Sequence, residues 1–315
     1  MSLLRASTRI AAFVSLAAAN ALHAQTIDDG IMLNKHNIFA GFVYTTSSWD
    51  HYWEGSFYRA NGNLGTVTTQ TKSIYADYGV TNHLNIIANI PYVETDASQG
   101  VLAGQSAWQD MTLGAKYSFY DKPVTEFGSL RLIGVLHGSF PMTDYNPDFQ
   151  PLSVGDHSKR LSTRFTANFQ SKPGWFVNVT GAHTWRSHVF LDRPYYYTNN
   201  QLYLTNEVDM PRVFDYSASS GYFKHGVMAN FSWTQQRTQG GGDIRPQDAP
   251  FISNKFNFSK IGALLMVPIP VKAARNFTLQ FAWAHTYDGR NVGEATAYTT
   301  GLLYTMNFHR KSPRP

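Results

Sequence analysis

FTLQFAWAHTYD, residues 277–288, and ATAYTTGLLYTMNF, residues 295–308, say most clearly what solvent this chain faces. Phe277, Leu279, Phe281, Trp283, His285 and Tyr287 share one parity; Thr278, Gln280, Ala282, Ala284, Thr286 and Asp288 share the other. In the second segment Tyr298, Thr300, Leu302, Tyr304, Met306 and Phe308 oppose Thr299, Gly301, Leu303, Thr305 and Asn307. A period of two is a strand. A soluble sandwich places aliphatics inward and charge outward, whereas here the second face is mostly small, neutral and polar. A lipid-facing outside and a polar lumen account for that pattern.

Composition agrees. The charged fraction, 15%, is low and the aromatic fraction, also 15%, is high. Mean hydropathy is −0.29, and no run of eighteen or more apolar residues occurs, so any membrane span must be a strand. At 315 residues the chain suits one large barrel or two ordinary domains.

Arg5 and Arg9, the apolar run Ile10 to Ala19 and the small residues before Ala21 and Ala24 form a secretory signal peptide, residues 1–24, cleaved after Ala21 or Ala24. The apolar run is too short to cross roughly 30 Å of hydrocarbon as a helix. Loss of Arg5 and Arg9 takes the formal charge from +5 to +3, so the pI near 9.2 does not indicate nucleic-acid binding. The chain has no cysteine, which excludes thiolate chemistry and disulfides; closure of a barrel, pairing every strand edge, is the alternative source of stability.

About twelve extended segments recur, near 37–47, 68–80, 84–94, 108–120, 128–140, 158–170, 175–190, 212–223, 227–238, 255–269, 277–287 and 295–308. Connections after the even segments are short, and those after the odd ones are long except the last. This is the layout of an outer-membrane barrel with periplasmic turns, external loops and both termini in the periplasm. The expected fold is all-β: a transmembrane antiparallel up-and-down barrel of about twelve strands over residues 37–308. Residues 25–36 are a periplasmic segment or plug, and 309–315 a disordered basic tail. Thr299, Gly301, Tyr304 and Phe308 approach the terminal-strand pattern read by the barrel insertion machinery, with Met306 where an aromatic is usual.

YADYGVTNHLNIIANIPYVE (75–94) and WQDMTLGAKYSFYDKP (108–123) resemble outer-membrane barrels associated with the meta-pathway of phenol degradation. Tyr78-Gly79, Thr81, Leu84, Pro91-Tyr92, Asp110, Leu113-Gly114 and Lys116-Tyr117 carry the likeness, with LHGSFPMTD (136–144) as the start of the next loop. It covers about the first half of the mature chain. The resemblance implies a barrel passing aromatic or other apolar small molecules across the outer membrane, and it transfers no catalytic or binding residue.

Parity sends Asp77, Asp110, Lys116, Arg131, Arg160, Arg164, Arg186 and Asp215 into the lumen, since charge facing lipid costs up to a few kcal/mol. They either shape a channel's field or form an ion-pair network filling it. His137 and Ser139 share a face, with Asn146 beyond, a spacing similar to the outer-membrane phospholipase family; inward parity argues against a lipid hydrolase. His183 and His188, five apart, fall on opposite faces, and no metal or other cofactor is implied. Gly240-Gly241-Gly242 has no following helix and reads as a flexible loop tip. Aromatics in the long loops, Trp49, Trp53 and Tyr58 in the first and Tyr195, Tyr196 and Tyr197 in the fourth, form either a ligand vestibule or the external girdle. The expectation is a monomeric passive channel whose partners are outer-membrane lipid and a small apolar or aromatic solute. The alternatives are an adhesive barrel binding a partner through its loops and the lipid hydrolase.

Overall fold

The computed structural model describes residues 29–245 and 250–308. The signal peptide, residues 25–28 and the 309–315 tail lie outside the described residues. Twelve long strands among them form the barrel. They are β1 (Asn37–Trp49), β2 (Val67–Gly79), β3 (Leu84–Ala97), β4 (Asp110–Thr125), β5 (Gly128–Pro141), β6 (Arg160–Ser171), β7 (Trp175–Arg186), β8 (Arg212–Lys224), β9 (Val227–Gln239), β10 (Asn257–Pro268), β11 (Phe277–Arg290) and β12 (Thr296–Asn307). Each pairs antiparallel with the next, and β1 pairs with both β2 and β12, so the sheet closes on itself. Closure satisfies the backbone groups that an edge would expose to lipid.

Period two becomes inside and outside. On β1, Phe42 is 70% exposed and Phe39 1%; the closing register sets Phe39 opposite Thr305 and Phe42 opposite Leu302. Leu113, Phe165, Phe231, Phe281 and Leu302 continue the exposed apolar band around the barrel. Aromatic pairs mark its rims: the Trp175 and Tyr222 rings lie 5.3 Å apart at the periplasmic end, and Trp233 Nε1 donates to the Tyr287 hydroxyl at 2.9 Å near the external end. A band of this kind fits a bilayer, and the protein is an outer-membrane-type transmembrane barrel. No helix among the described residues is long and apolar enough to cross a membrane, as expected when strands make the crossing.

Strand limits differ from the sequence reading where backbone irregularities intervene. β4 continues past Tyr120 to Thr125, with register shifts around Phe119 and Val124; the bulge beside Pro123 accommodates a residue that cannot donate. β4 pairs with β3 only from Leu84↔Tyr117 to Asn89↔Thr112. Beyond Pro91 the external half of β3 is covered by Ser106–Trp108 instead. β7 stops at Arg186 rather than Phe190, because Val189 and Phe190 pair with Val208 and Glu207 within the fourth external loop. The first external loop forms its own hairpin, His51–Glu54 with Phe57–Ala60.

Candidate functional site

The lumen holds two separate constellations, one at each end. At the periplasmic end residues 29–33 turn inside the barrel and are buried. Asp29 Oδ1 accepts from the Ile31 N–H at 2.9 Å and from Lys116 Nζ at 2.8 Å. Lys116 is fully buried, and its charge also reaches the buried Asp77, whose Oδ2 lies 3.4 Å from Asn85 Nδ2. Arg131 donates through Nη1 to the Gly30 carbonyl at 3.0 Å and through Nε and Nη2 to Asp121 Oδ2 at 2.8 and 2.6 Å. A side chain at position 30 would stand 2.4 Å from Asn168, so glycine lets this segment lie against the wall. Ile31 and Leu33 pack on Phe39, Phe176, Met228, Met266 and Leu303, while Met32 packs on Ile133 and Val135.

At the external end the connection 142–159 folds back into the mouth. Tyr145 donates to Asp110 Oδ1 at 2.5 Å, and its hydroxyl accepts the His157 N–H at 3.1 Å. Thr95 Oγ1 donates to the Leu152 carbonyl at 2.6 Å, and Tyr145 and Val154 pack with Val93. Asp156 sits between Arg160, at 2.7 Å, and Arg186, at 3.5 Å, and accepts from Ser158 Oγ at 2.8 Å. Burial by itself would raise the Asp156 pKa; the two guanidinium groups and the hydroxyl outweigh it and hold the carboxyl at about 2.

The eight charges placed in the lumen by parity therefore divide. Asp77, Lys116 and Arg131 gather at the periplasmic end; Asp110, Arg160 and Arg186 gather at the external end, where Arg186 also feels Asp215. Arg164 stands between the two groups, in register with Val135 and Ala182. Sequence reading passed over the partners that organise these groups: Asp29, Asp121, Tyr145 and Asp156 lie in a terminal segment, near a turn or in a loop, where alternation does not report facing. It also passed over the inward apolar residues. Phe39, Ile133, Met228 and Met266 interrupt the polar parity, and that interruption was the signal available.

The mouth itself encloses a cavity of about 740 Å³. Trp49, Tyr52, Leu102, Pro151, Phe256 and Val292 are among its lining residues, so it is assembled from several loops. Of the six aromatics singled out in the sequence, Trp49 lines it. Trp53 is buried against the β11 end, 5.3 Å from the Tyr58 ring, and Tyr58 donates to Glu294 Oε2 at 2.5 Å. That hydrogen bond, in which the phenol keeps its proton while donating it to a carboxylate, pushes the Tyr58 pKa up to about 12. Tyr196 is buried and stacks between Tyr203 and Phe251 in a small core shared by the fourth and fifth external loops. Tyr195 and Tyr197 flank it on the exposed side. The two loop clusters are thus distinct packing units.

One residue ties the mouth together. Asn291, buried at φ 56°, accepts the N–H groups of Gly55 (2.9 Å) and Ile244 (2.8 Å) and donates to Asp243 Oδ1 (3.0 Å) and the Lys255 carbonyl (2.7 Å). Asp243 also binds Arg290 through two hydrogen bonds, which draws its pKa down to about 2.

His137 and Ser139 lie on the inner face of β5, Ser139 buried, while the Asn146 amide is directed to Asp192 Oδ2 at 3.4 Å in the external loops. Ser139 is turned from the lipid that a hydrolase of this class would attack.

Among solved structures the chain is similar to an outer-membrane channel from Pseudomonas putida F1, with 12% identity and a TM-score of 0.69 over 90% of this chain and 100% of that one. It is more distantly similar to the NanC porin, at 8% identity and a TM-score of 0.44 over 83% and 98% of the two chains. Similarity to a mutant of the TodX monoaromatic hydrocarbon channel is of the same order, at 10% identity and a TM-score of 0.41 over 88% and 91%. No family model matches the sequence, and no curated protein matches it. The chain has the barrel fold of an outer-membrane channel.

Proposed function

We propose that this protein is a passive channel for small apolar or aromatic molecules, working as a monomer without a cofactor. The observation that carries the reading is the character of the inner wall. A water-filled barrel is polar inside, but this one presents Phe39, Phe176, Met228, Met266 and Leu303 at the periplasmic end of its lumen. A mouth lined by Trp49, Leu102, Phe256 and Val292 opens at the other. An apolar solute leaves water on entering the mouth and meets apolar surface again near the exit where Ile31 and Leu33 give way, with about 25 cal/mol per Å² favouring each contact. The channel fold shared with the Pseudomonas putida protein supports the same reading.

Purified protein in liposomes tests it. Toluene is expected to equilibrate faster across vesicles holding the protein than across empty ones, and Trp49→Ala is expected to slow it by removing the ring at the mouth. Equal rates with and without protein, for the full chain and for Ile31→Ser/Leu33→Ser alike, would refute the channel.

A further inference from the structure

Residues 29–33 have the form of a ligand: a carboxylate, a short spacer and an apolar body. The Asp29 carboxylate lies 2.8 Å from the fully buried Lys116 ammonium. The Ile31 and Leu33 side chains fill the apolar floor made by Phe39, Phe176, Met228, Met266 and Leu303. Between them, Arg131 holds the Gly30 carbonyl at 3.0 Å. We propose that this segment is an internal ligand, and that the lumen site it occupies accepts a small monocarboxylate with an apolar body, which displaces the segment and opens the periplasmic end. The inference rests on the channel reading and names a solute class for it.

Three features define that class. The charge must be negative, because the group replaced is a carboxylate hydrogen-bonded to Lys116. It must be single, because Asp77 is already buried within reach of the same ammonium, and a second added charge would lie uncompensated at low dielectric. The apolar part must stand off from the carboxylate, since Gly30 and the Ile31 N–H, which donates to Asp29 Oδ1 at 2.9 Å, lie between the carboxylate and the Ile31 side chain. An arylalkanoate or a medium-chain alkanoate meets all three, whereas a dicarboxylate meets only the first.

Segment and solute compete for one site, so each weakens the other by the same factor. A segment tethered a few residues from β1 competes at an effective concentration in the millimolar range, and an acid that binds the site as well as the segment does displaces it at similar concentrations. The segment is an extension outside the strands, so its release leaves the sheet intact.

The test uses the full barrel in planar bilayers, with 3-phenylpropionate and its uncharged amide, 3-phenylpropionamide, as probes. The acid is expected to raise the open fraction about tenfold, within the usual range of ligand couplings, and the amide to leave it unchanged. Asp29→Asn is expected to shift the acid response to lower concentration, because the segment loses its charge while Lys116 keeps its own. Lys116→Gln is expected to be open without acid and indifferent to it. Equal responses to acid and amide, or an acid response surviving in Lys116→Gln, would overturn the proposal. If Lys116→Gln does not insert, Asp29→Asn and the acid and amide comparison decide the matter. Toluene flux separates the two readings: flux without any acid effect removes this inference alone, and absence of flux, even in Ile31→Ser/Leu33→Ser, removes the channel.

Discussion

The two ends of the lumen hold segments that are fixed by different means. At the external end a loop is held by Asp156 between two arginines, by Tyr145 on Asp110 and by Thr95 on the loop backbone. Both its ends are also covalently fixed, in β5 and β6. At the periplasmic end a segment attached to β1 is held by one buried ion pair, one arginine contact and three side chains. The first segment cannot leave the mouth without disrupting a network of buried charge. On the proposal made above, the second retreats into the periplasm with its carboxylate rehydrated. Equal burial thus does not imply equal permanence, and what separates the two is whether the buried charge can reach solvent when its contact breaks.

The largest test of that contrast is Asp156→Asn. It leaves Arg160 and Arg186 facing a neutral amide, and removing one partner of a buried pair costs about 3–5 kcal/mol. Hydrogen exchange across 142–159 is expected to rise steeply; an unchanged loop would mean that the arginines are not what holds it. Asn291→Ala follows. It deletes hydrogen bonds to two loops at about 1 kcal/mol each and places a less tolerant residue at positive φ. Exchange at 51–60 and 240–245 should increase together, and an increase at one site only would show that Asn291 does not couple them.

Asp29→Asn is expected to affect the periplasmic end alone. The loss is limited to about 2 kcal/mol, the scale of a charged hydrogen bond, because Lys116 keeps the buried Asp77 within reach and the segment can leave the lumen. Trypsin cleavage after the exposed Lys35 should accelerate while the melting temperature of the barrel holds. A large drop in melting temperature would erase the distinction between the two segments.

The smallest effects are those of pH. Asp156 is held at about 2, below the ordinary 3.8, so its contribution is present above about pH 4 and lost only as the pH falls through about 2. Loop exchange is therefore expected to be flat from pH 7 to 4. His188 behaves oppositely: hydrogen bonding to Glu207, with Asp209 nearby, raises its pKa above 6.5. Its contribution is complete below pH 6.5 and lost as pH rises through the elevated value, so mild alkali should loosen residues 187–211 first. His188→Gln should remove that response.

Much of this was legible in the chain. Alternation at Phe277–Tyr287 identified strands and assigned their faces, since a period of two leaves no choice once one side meets lipid. Alternating connection lengths gave the up-and-down topology. The same parity directed Lys116, Arg131 and Asp156's partners, Arg160 and Arg186, to the inside. It was silent about Asp29, Tyr145 and Asp156 because they lie outside the regular strands, where side-chain direction has no period. The loop aromatics show the same limit: Trp53 and Tyr196 became packing residues and Trp49 a lining residue, although all three sit among similar neighbours in sequence.

The sequence by itself determined that the polypeptide crosses a bilayer as a closed sheet, because local patterning fixes which face each strand gives to lipid. Only the tertiary structure decided which charges meet, which segment occupies each end of the lumen and where the apolar wall lies. Those outcomes depend on segments far apart in the chain converging after closure: residue 29 on residue 116, residue 291 on residues 55 and 244. No local periodicity encodes such a meeting.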